Sequence, residues 1–280
     1  MHGTGEDTWS AELRRAGDGS TFGTPGDVNL RGVWTLYVKE VRRFLKVYLQ
    51  TLAAPLVTTL LFLAVFALAL GGQQRLIGSV PYLEFLAPGL LVMAVVQNAF
   101  ANTSSSLVIA KVQGNIVDYL MPPLAPGELV LGLVMGGITR GVLVGLVTVA
   151  AMLPFVSIGL PHPLIALTSL LLAAALLSLL GFLAALWAQK FDEMAAITNF
   201  LITPLSFLSG TFYSIHDLPE PWHLLAMLNP FFYMIDGVRY GTTGHADGDP
   251  LLGVAVLVVT VAVTWAVAVR LVRTGWRLKA

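Results

Sequence analysis

The side chains that could do chemistry in this chain are few. His216, His223 and His245, with Asp217 beside the first, are the candidates for acid–base work or metal ligation. His216 and His223 stand seven apart with prolines between them, and that spacing reads as solvated loop histidines, with no metal site expected. No HExxH or GxxxxGK[ST] pattern occurs, so neither a zinc protease nor a phosphate-binding loop is encoded. There is no cysteine, which excludes disulfides, thiol catalysis and Cys-ligated metals. The remaining chemistry is that of polar groups in an apolar setting. Arg140 interrupts a long uncharged stretch, where an ionised side chain is costly and must face protein or water. It can contact an anionic headgroup or pair with a polar neighbour such as Asn98 or Asn102. Gln97, Asn98, Asn102, Thr103 and Ser104 to Ser106 form a polar run that must face other helices or a wet path.

The elements that must hold these groups are membrane helices. The chain is 56% hydrophobic and 11% charged, against about 25% charged for a soluble domain. Charge vanishes for stretches of membrane-spanning length at 52–70, 85–110, 129–154 (interrupted only by Arg140), 164–188, 194–209 and 251–269. The expected fold is therefore an all-α polytopic membrane protein with six transmembrane helices. Residues 1–28, rich in Gly, Thr, Asp and Ser, read as a disordered tail, and 29–280 as one transmembrane domain. No cleavable signal peptide is evident. Before the first span, residues 31–50 read as an amphipathic interfacial helix. It has Val33, Tyr37, Val41, Phe44 and Tyr48 on one face, and Lys39, Arg42, Arg43 and Lys46 on the other.

Orientation follows the basic residues. Arg31, Lys39, Arg42, Arg43, Lys46, Lys111, Lys190, Arg270, Arg273, Arg277 and Lys279 fall on one side, and Arg75 and Arg239 on the other, which places both termini in the cytosol. The glycines Gly132, Gly136, Gly137, Gly141 and Gly145 repeat along span three as a helix-packing stripe. On the cytosolic side, residues 111–123 read as a short helix closed by Pro122-Pro123. It carries Ile116, Val117, Tyr119 and Leu120 as a projecting apolar knob, or as a turn lying on the membrane surface. On the outer side, residues 199–240 start as an apolar helix and break at Ser209-Gly210, at Pro219 and Pro221, and at Asn229-Pro230. Such broken helices are tolerated at membrane depth only inside protein or around a cavity, so 210–241 reads as a partly re-entrant gate.

Two stretches, KVQGNIVDYLMPPLAPGELVLG with the later Arg140-Gly141, and NFLITPLSFLSGTFYSIHDLP followed by LNPFFYMIDGVRYG, resemble the ABC-type-2 transporter permeases. The resemblance extends over nearly everything after residue 30 and is strongest to the six-span bacterial group containing nodulation-factor and polysaccharide exporters. It implies a multi-pass protein of the bacterial inner membrane. Two permease copies, expected as a homodimer, would work with two cytosolic ATPase subunits that bind ATP and Mg, this chain holding no cofactor and no nucleic acid. Residues 31–50 would be the connecting helix. Lys111, Asn115, Ile116, Asp118, Tyr119 and Leu120 would form the helix that sits in the ATPase cleft. Phe207, Gly210, Phe212, Tyr213, Leu218, Pro219, Asn229 and Pro230 would belong to the outer gate, and Asn98, Asn102, Arg140, Thr203 and Ser206 to the substrate path.

The expected function is export of an amphiphile (lipid-linked glycan, lipid or hydrophobic drug), with ATP hydrolysis in the partner and no catalytic residue here. An ion-coupled secondary transporter would need acidic residues in the middle of spans, and none stands there in sequence. A lipid-acting membrane enzyme would have to use His216, Asp217 and His223.

Overall fold

In the computed structural model, residues 29–69, 76–77 and 80–276 are described. The expected tail 1–28, and the charges Arg75, Arg277 and Lys279, lie outside them.

Helix α1 (Leu30–Leu45) starts where Asn29 Oδ1 accepts from the Gly32 amide at 2.9 Å. This is an N-cap that satisfies one of the orphan donors of the first turn. Two residues later the chain re-enters a helix, α2 (Tyr48–Ala69). A minimal antiparallel ladder of β1 (Leu76–Ile77) and β2 (Val80–Pro81) leads into α3 (Tyr82–Val112). The short helix α4 (Val117–Leu120) and the long helices α5 (Pro126–Met152) and α6 (Pro163–Trp187) follow. Both long helices open on a proline, whose missing N–H costs nothing at that position. Among the described residues, five helices, α2, α3, α5, α6 and the last, α11 (Pro250–Thr274), are long and apolar enough to cross a membrane.

The expected span 194–209 is not one regular helix. It is α7 (Phe191–Ile197), a π turn over Thr198–Ile202 and α8 (Thr203–Leu208). Pro204 accounts for the irregularity. It has no N–H for the carbonyl four residues back, and its ring crowds that carbonyl, so the preceding turn widens. Beyond it the chain runs through a 3₁₀ turn (Ile215–Asp217), α9 (Trp222–Leu228) and α10 (Pro230–Thr243) before α11. Asn229 caps α10 by accepting from Phe231 N at 3.1 Å, and Gly244 ends it with φ +75°.

Helix α3 is the centre, with α2, α5, α6 and α10 packed around it. Glycine makes the close approaches possible. A Cβ at Gly181 would stand 2.5 Å from the Phe100 carbonyl, so α6 and α3 meet backbone to backbone. The glycine stripe of α5 divides into two edges. Gly132 and Gly136 receive Leu36 and Glu40 of α1, whereas Gly141 and Gly145 receive α3 and Gly137 receives Ser178 of α6 with Thr103 of α3.

That first edge corrects the reading of residues 31–50. The helix ends at Leu45, and Tyr48 to Gln50 belong to α2. Its buried face is Val33, Leu36, Glu40 and Phe44, laid on α5, while Trp34 faces outward at 64% exposure. The apolar stripe goes into protein because two glycines on α5 leave room for it. One carboxylate also fastens the two helix starts: Glu128 accepts from Asn29 N at 2.6 Å and from Ala125 N at 2.7 Å.

Candidate functional site: a polar cleft and its link to the α4 loop

A cleft of about 870 Å³ lies between α2, α3, α5 and the π-broken segment. Thr198, Asn199 and Thr203 line one wall, Gln97, Asn98 and Ala101 of α3 the next, and Thr51, Thr58 and Thr59 of α2 the third. Arg43 and Arg140 reach it from α1 and α5. Phe62, Leu90, Met93 and Phe207 make it apolar toward the other end. The gradient is written into α3, whose apolar residues precede Gln97 and whose polar run follows it.

Arg140 Nη2 donates to Asn98 Oδ1 at 3.1 Å, and Asn98 donates onward to the Ala94 carbonyl at 2.9 Å. Thr203 lines the cleft as expected. Ser206 does not: it is buried in its own turn, where its carbonyl accepts from Ser209 Oγ at 2.6 Å and from Thr211 Oγ1 at 2.9 Å. Asn102 is also fully buried and sits behind the wall, accepting from Arg43 Nη2 at 2.7 Å through its backbone and 3.0 Å through its side chain.

Arg43 therefore turns inward, away from the headgroup face proposed for it. Lys39, Arg42 and Lys46 remain exposed. The cause is Glu40, a residue the sequence reading passed over, which is fully buried. A carboxylate out of water costs several kcal/mol unless it is paired and hydrogen-bonded. Glu40 receives Arg43 Nη2 at 3.1 Å and Nε at 3.2 Å, Ser106 Oγ at 2.7 Å and Tyr119 OH at 3.2 Å. Ser106 and Tyr119 also lie 3.1 Å from each other, and Lys39 Nζ stands 3.7 Å over the Tyr119 ring. Burial, then the nearby Glu40 charge, push the Tyr119 hydroxyl up to about 12, so it stays a donor at neutral pH.

This network corrects the geometry expected of the loop. Ile116 and Tyr119, one helical turn apart, are buried at 5% and 7% exposure and face the bundle. The outward residues are Asn115, Val117, Asp118 and Met121, the last two apolar ones at 51% and 77%. Lys111 also turns inward, its Nζ donating to the Ala185 and Leu186 carbonyls at 2.7 Å and so capping the end of α6. Leu120 closes α4.

On the opposite side, the expected gate residues gather around two centres. Phe207 and Phe212 stack at 5.3 Å, and Phe62 and Phe66 of α2 join them, Phe66 lying 5.0 Å from Phe212. Tyr82 OH donates to the Phe212 carbonyl at 3.0 Å, and Tyr213 OH to that of Leu208 at 3.0 Å. The second centre is Arg239, fully buried, with Nη2 on the Gly210 carbonyl at 2.6 Å and its guanidinium 3.7 Å over Phe85. Gly210 has φ +78°, a conformation that favours glycine. Asp247 lies 3.9 Å from Arg239 and accepts from Ile215 N, while Asp236 accepts from the amides of Asp247 and Gly248. Leu218 packs beside Ile215 and Phe232, the Pro219 carbonyl accepts from Trp222 N, and Asn229 Nδ2 reaches the Leu205 carbonyl ahead of Pro230. The His216 and His223 rings do come together, 5.8 Å apart.

The family model described as ABC-2 type transporter matches residues 31–242. The chain belongs to that family. It is similar to the inner membrane transport permease YadH of Escherichia coli (strain K12), at 36% identity over 252 residues, covering 90% of this chain and 97% of that protein. Nodulation protein J of Rhizobium leguminosarum bv. trifolii is 27% identical over 265 residues, covering 92% of this chain and 98% of its own. With Rhizobium meliloti (strain 1021) nodulation protein J the match is 26% over 200 residues. As an ABC-2 permease with several long apolar helices, the chain is a multi-pass inner-membrane transport subunit, and its family implies an ABC ATPase partner.

Proposed function

We propose that this permease is the membrane half of an ATP-driven exporter that moves an amphiphile by alternating access. Two copies of this chain would work with two ATPase subunits that bind ATP and Mg. The carrying observation is the Glu40 network. Through it the cytosolic loop (Tyr119), the first helix, whose Arg43 reaches the cleft, and the part of α3 behind the cleft wall (Asn102, Ser106) are one hydrogen-bonded unit. A chain without a phosphate loop must receive ATP energy by contact, and a partner that binds two arrangements differently biases their equilibrium. Residues 111–123 are the contact in this reading, with Val117 and Met121 as its docking surface. The α7–π–α8 segment is the sixth span, both termini are cytosolic, and 210–241 is the outer gate closed by the Phe207–Phe212 cluster.

Buried Glu40 is also the kind of residue an ion-coupled transporter would use. Its fixed pairing with Arg43 favours a structural link over a proton carrier. A pull-down from detergent separates the readings. Wild type should copurify an ABC ATPase subunit, and Val117→Asp/Met121→Asp should lose it. Absence of an ATPase from the wild-type sample, or its full retention by the double variant, would remove the docking surface and with it the coupling route.

A further inference from the structure

Of the two guanidiniums in the cleft, only one has an anionic partner. Arg43 is committed to Glu40, Asn102 and Ser105. Arg140 has, among the described residues, one hydrogen bond, to the neutral oxygen of Asn98, and its buried Nε has no acceptor. Among the described residues, no Asp or Glu lines the cleft. Guanidinium offers five donors in a planar fork that matches an oxyanion, and a lone cation at membrane depth is costly. Neutral donors stand on another wall of the cleft, at Asn199 and Thr203. The volume of about 870 Å³ is large enough for a headgroup and the start of a chain, with Phe62, Met93 and Phe207 to receive the apolar part.

We infer that the cargo is an amphiphile with an anionic oxyacid headgroup, which Arg140 holds while the tail lies toward the aromatic end. Cationic hydrophobic compounds are then poor substrates. This rests on the exporter reading above and narrows it.

The test is binding to the detergent-solubilised full chain. The probes are a fluorescent phosphatidic acid, the diacylglycerol with the same tails, and inorganic phosphate as competitor. Wild type should prefer phosphatidic acid by about ten-fold or more, the size of one charged hydrogen-bonding contact. Arg140→Gln should abolish the preference while leaving diacylglycerol binding unchanged, and Arg140→Lys should keep part of it. Equal wild-type affinity for the two lipids overturns the inference whether or not the variant folds, and so does an undiminished preference in Arg140→Gln. Displacement of phosphatidic acid by equimolar inorganic phosphate also overturns it, because the tail would then contribute nothing. ATPase copurification, scored on the same wild-type sample, tells the two claims apart. Its presence without a lipid preference removes only the headgroup assignment, and a preference without an ATPase removes only the exporter reading.

Discussion

At the scale of single residues, the charged groups inside this permease divide by what satisfies them. Glu40 and Arg43 satisfy each other. Arg239 is held by the Gly210 and Phe85 carbonyls and the Phe85 ring face, with Asp247 as a nearby anion and Nη1 left without a hydrogen-bond acceptor among the described residues. Arg140 is left with Asn98. Tyr119 gives the network a pH signature. Its folded-state value of about 12 lies above the ordinary 10.0, so the folded protein holds the proton more tightly. The resulting stability is fully present below pH 10 and is lost as the pH rises toward 12. Wild type should therefore lose melting temperature more steeply than Tyr119→Phe across that window, and parallel curves would deny the hydroxyl its role. Arg140 was legible in the sequence, because an arginine in an uncharged stretch is conspicuous. Glu40 was not. It lies among Lys39, Arg42 and Arg43, where an acid reads as one more solvated charge, and only the approach of α1 to Gly136 takes it out of water.

The elements were legible where hydrophobicity runs unbroken. Five of the expected spans correspond to single long helices whose ends moved by a few residues to the nearest cap or proline. The sixth was harder, because hydropathy does not register the cost of Pro204, which splits it at the π turn. The amphipathic stretch 31–50 was read to the wrong surface for a related reason. A helix with one apolar face can lie on lipid or on another helix, and the deciding glycines sit about a hundred residues away on α5. Glycine is also where an element-scale prediction falls. Gly181→Ala would put a methyl 2.5 Å from the Phe100 carbonyl, a backbone atom that cannot swing aside. Overpacking of this kind costs about 1–3 kcal/mol. Thermal unfolding in detergent should show a clear fall in midpoint for Gly181→Ala, whereas an unchanged midpoint would mean that α3 and α6 pack less tightly than described.

For the whole molecule, the cleft lies between two fastenings. On one side Glu40 joins the loop that bears Val117 and Met121 to Arg43, which reaches the cleft. On the other, Phe62, Phe66, Phe207 and Phe212 close the apolar end, and Arg239 holds the Gly210 turn behind them. The loop's surface was misread in sequence because four residues of helix are too few to show which side faces the bundle. Tyr119 faces inward because Glu40 is there to receive it. The central claim is that ATPase contact at this loop changes the cleft. The chain has no cysteine, so Ala101→Cys, on the cleft wall, gives a single labelling site in permease reconstituted with its ATPase. The account predicts that the maleimide labelling rate changes between the nucleotide-free and the ATP-and-vanadate states, and that Glu40→Gln suppresses the change. A rate that ignores nucleotide, or a full response in the Glu40→Gln background, would contradict it.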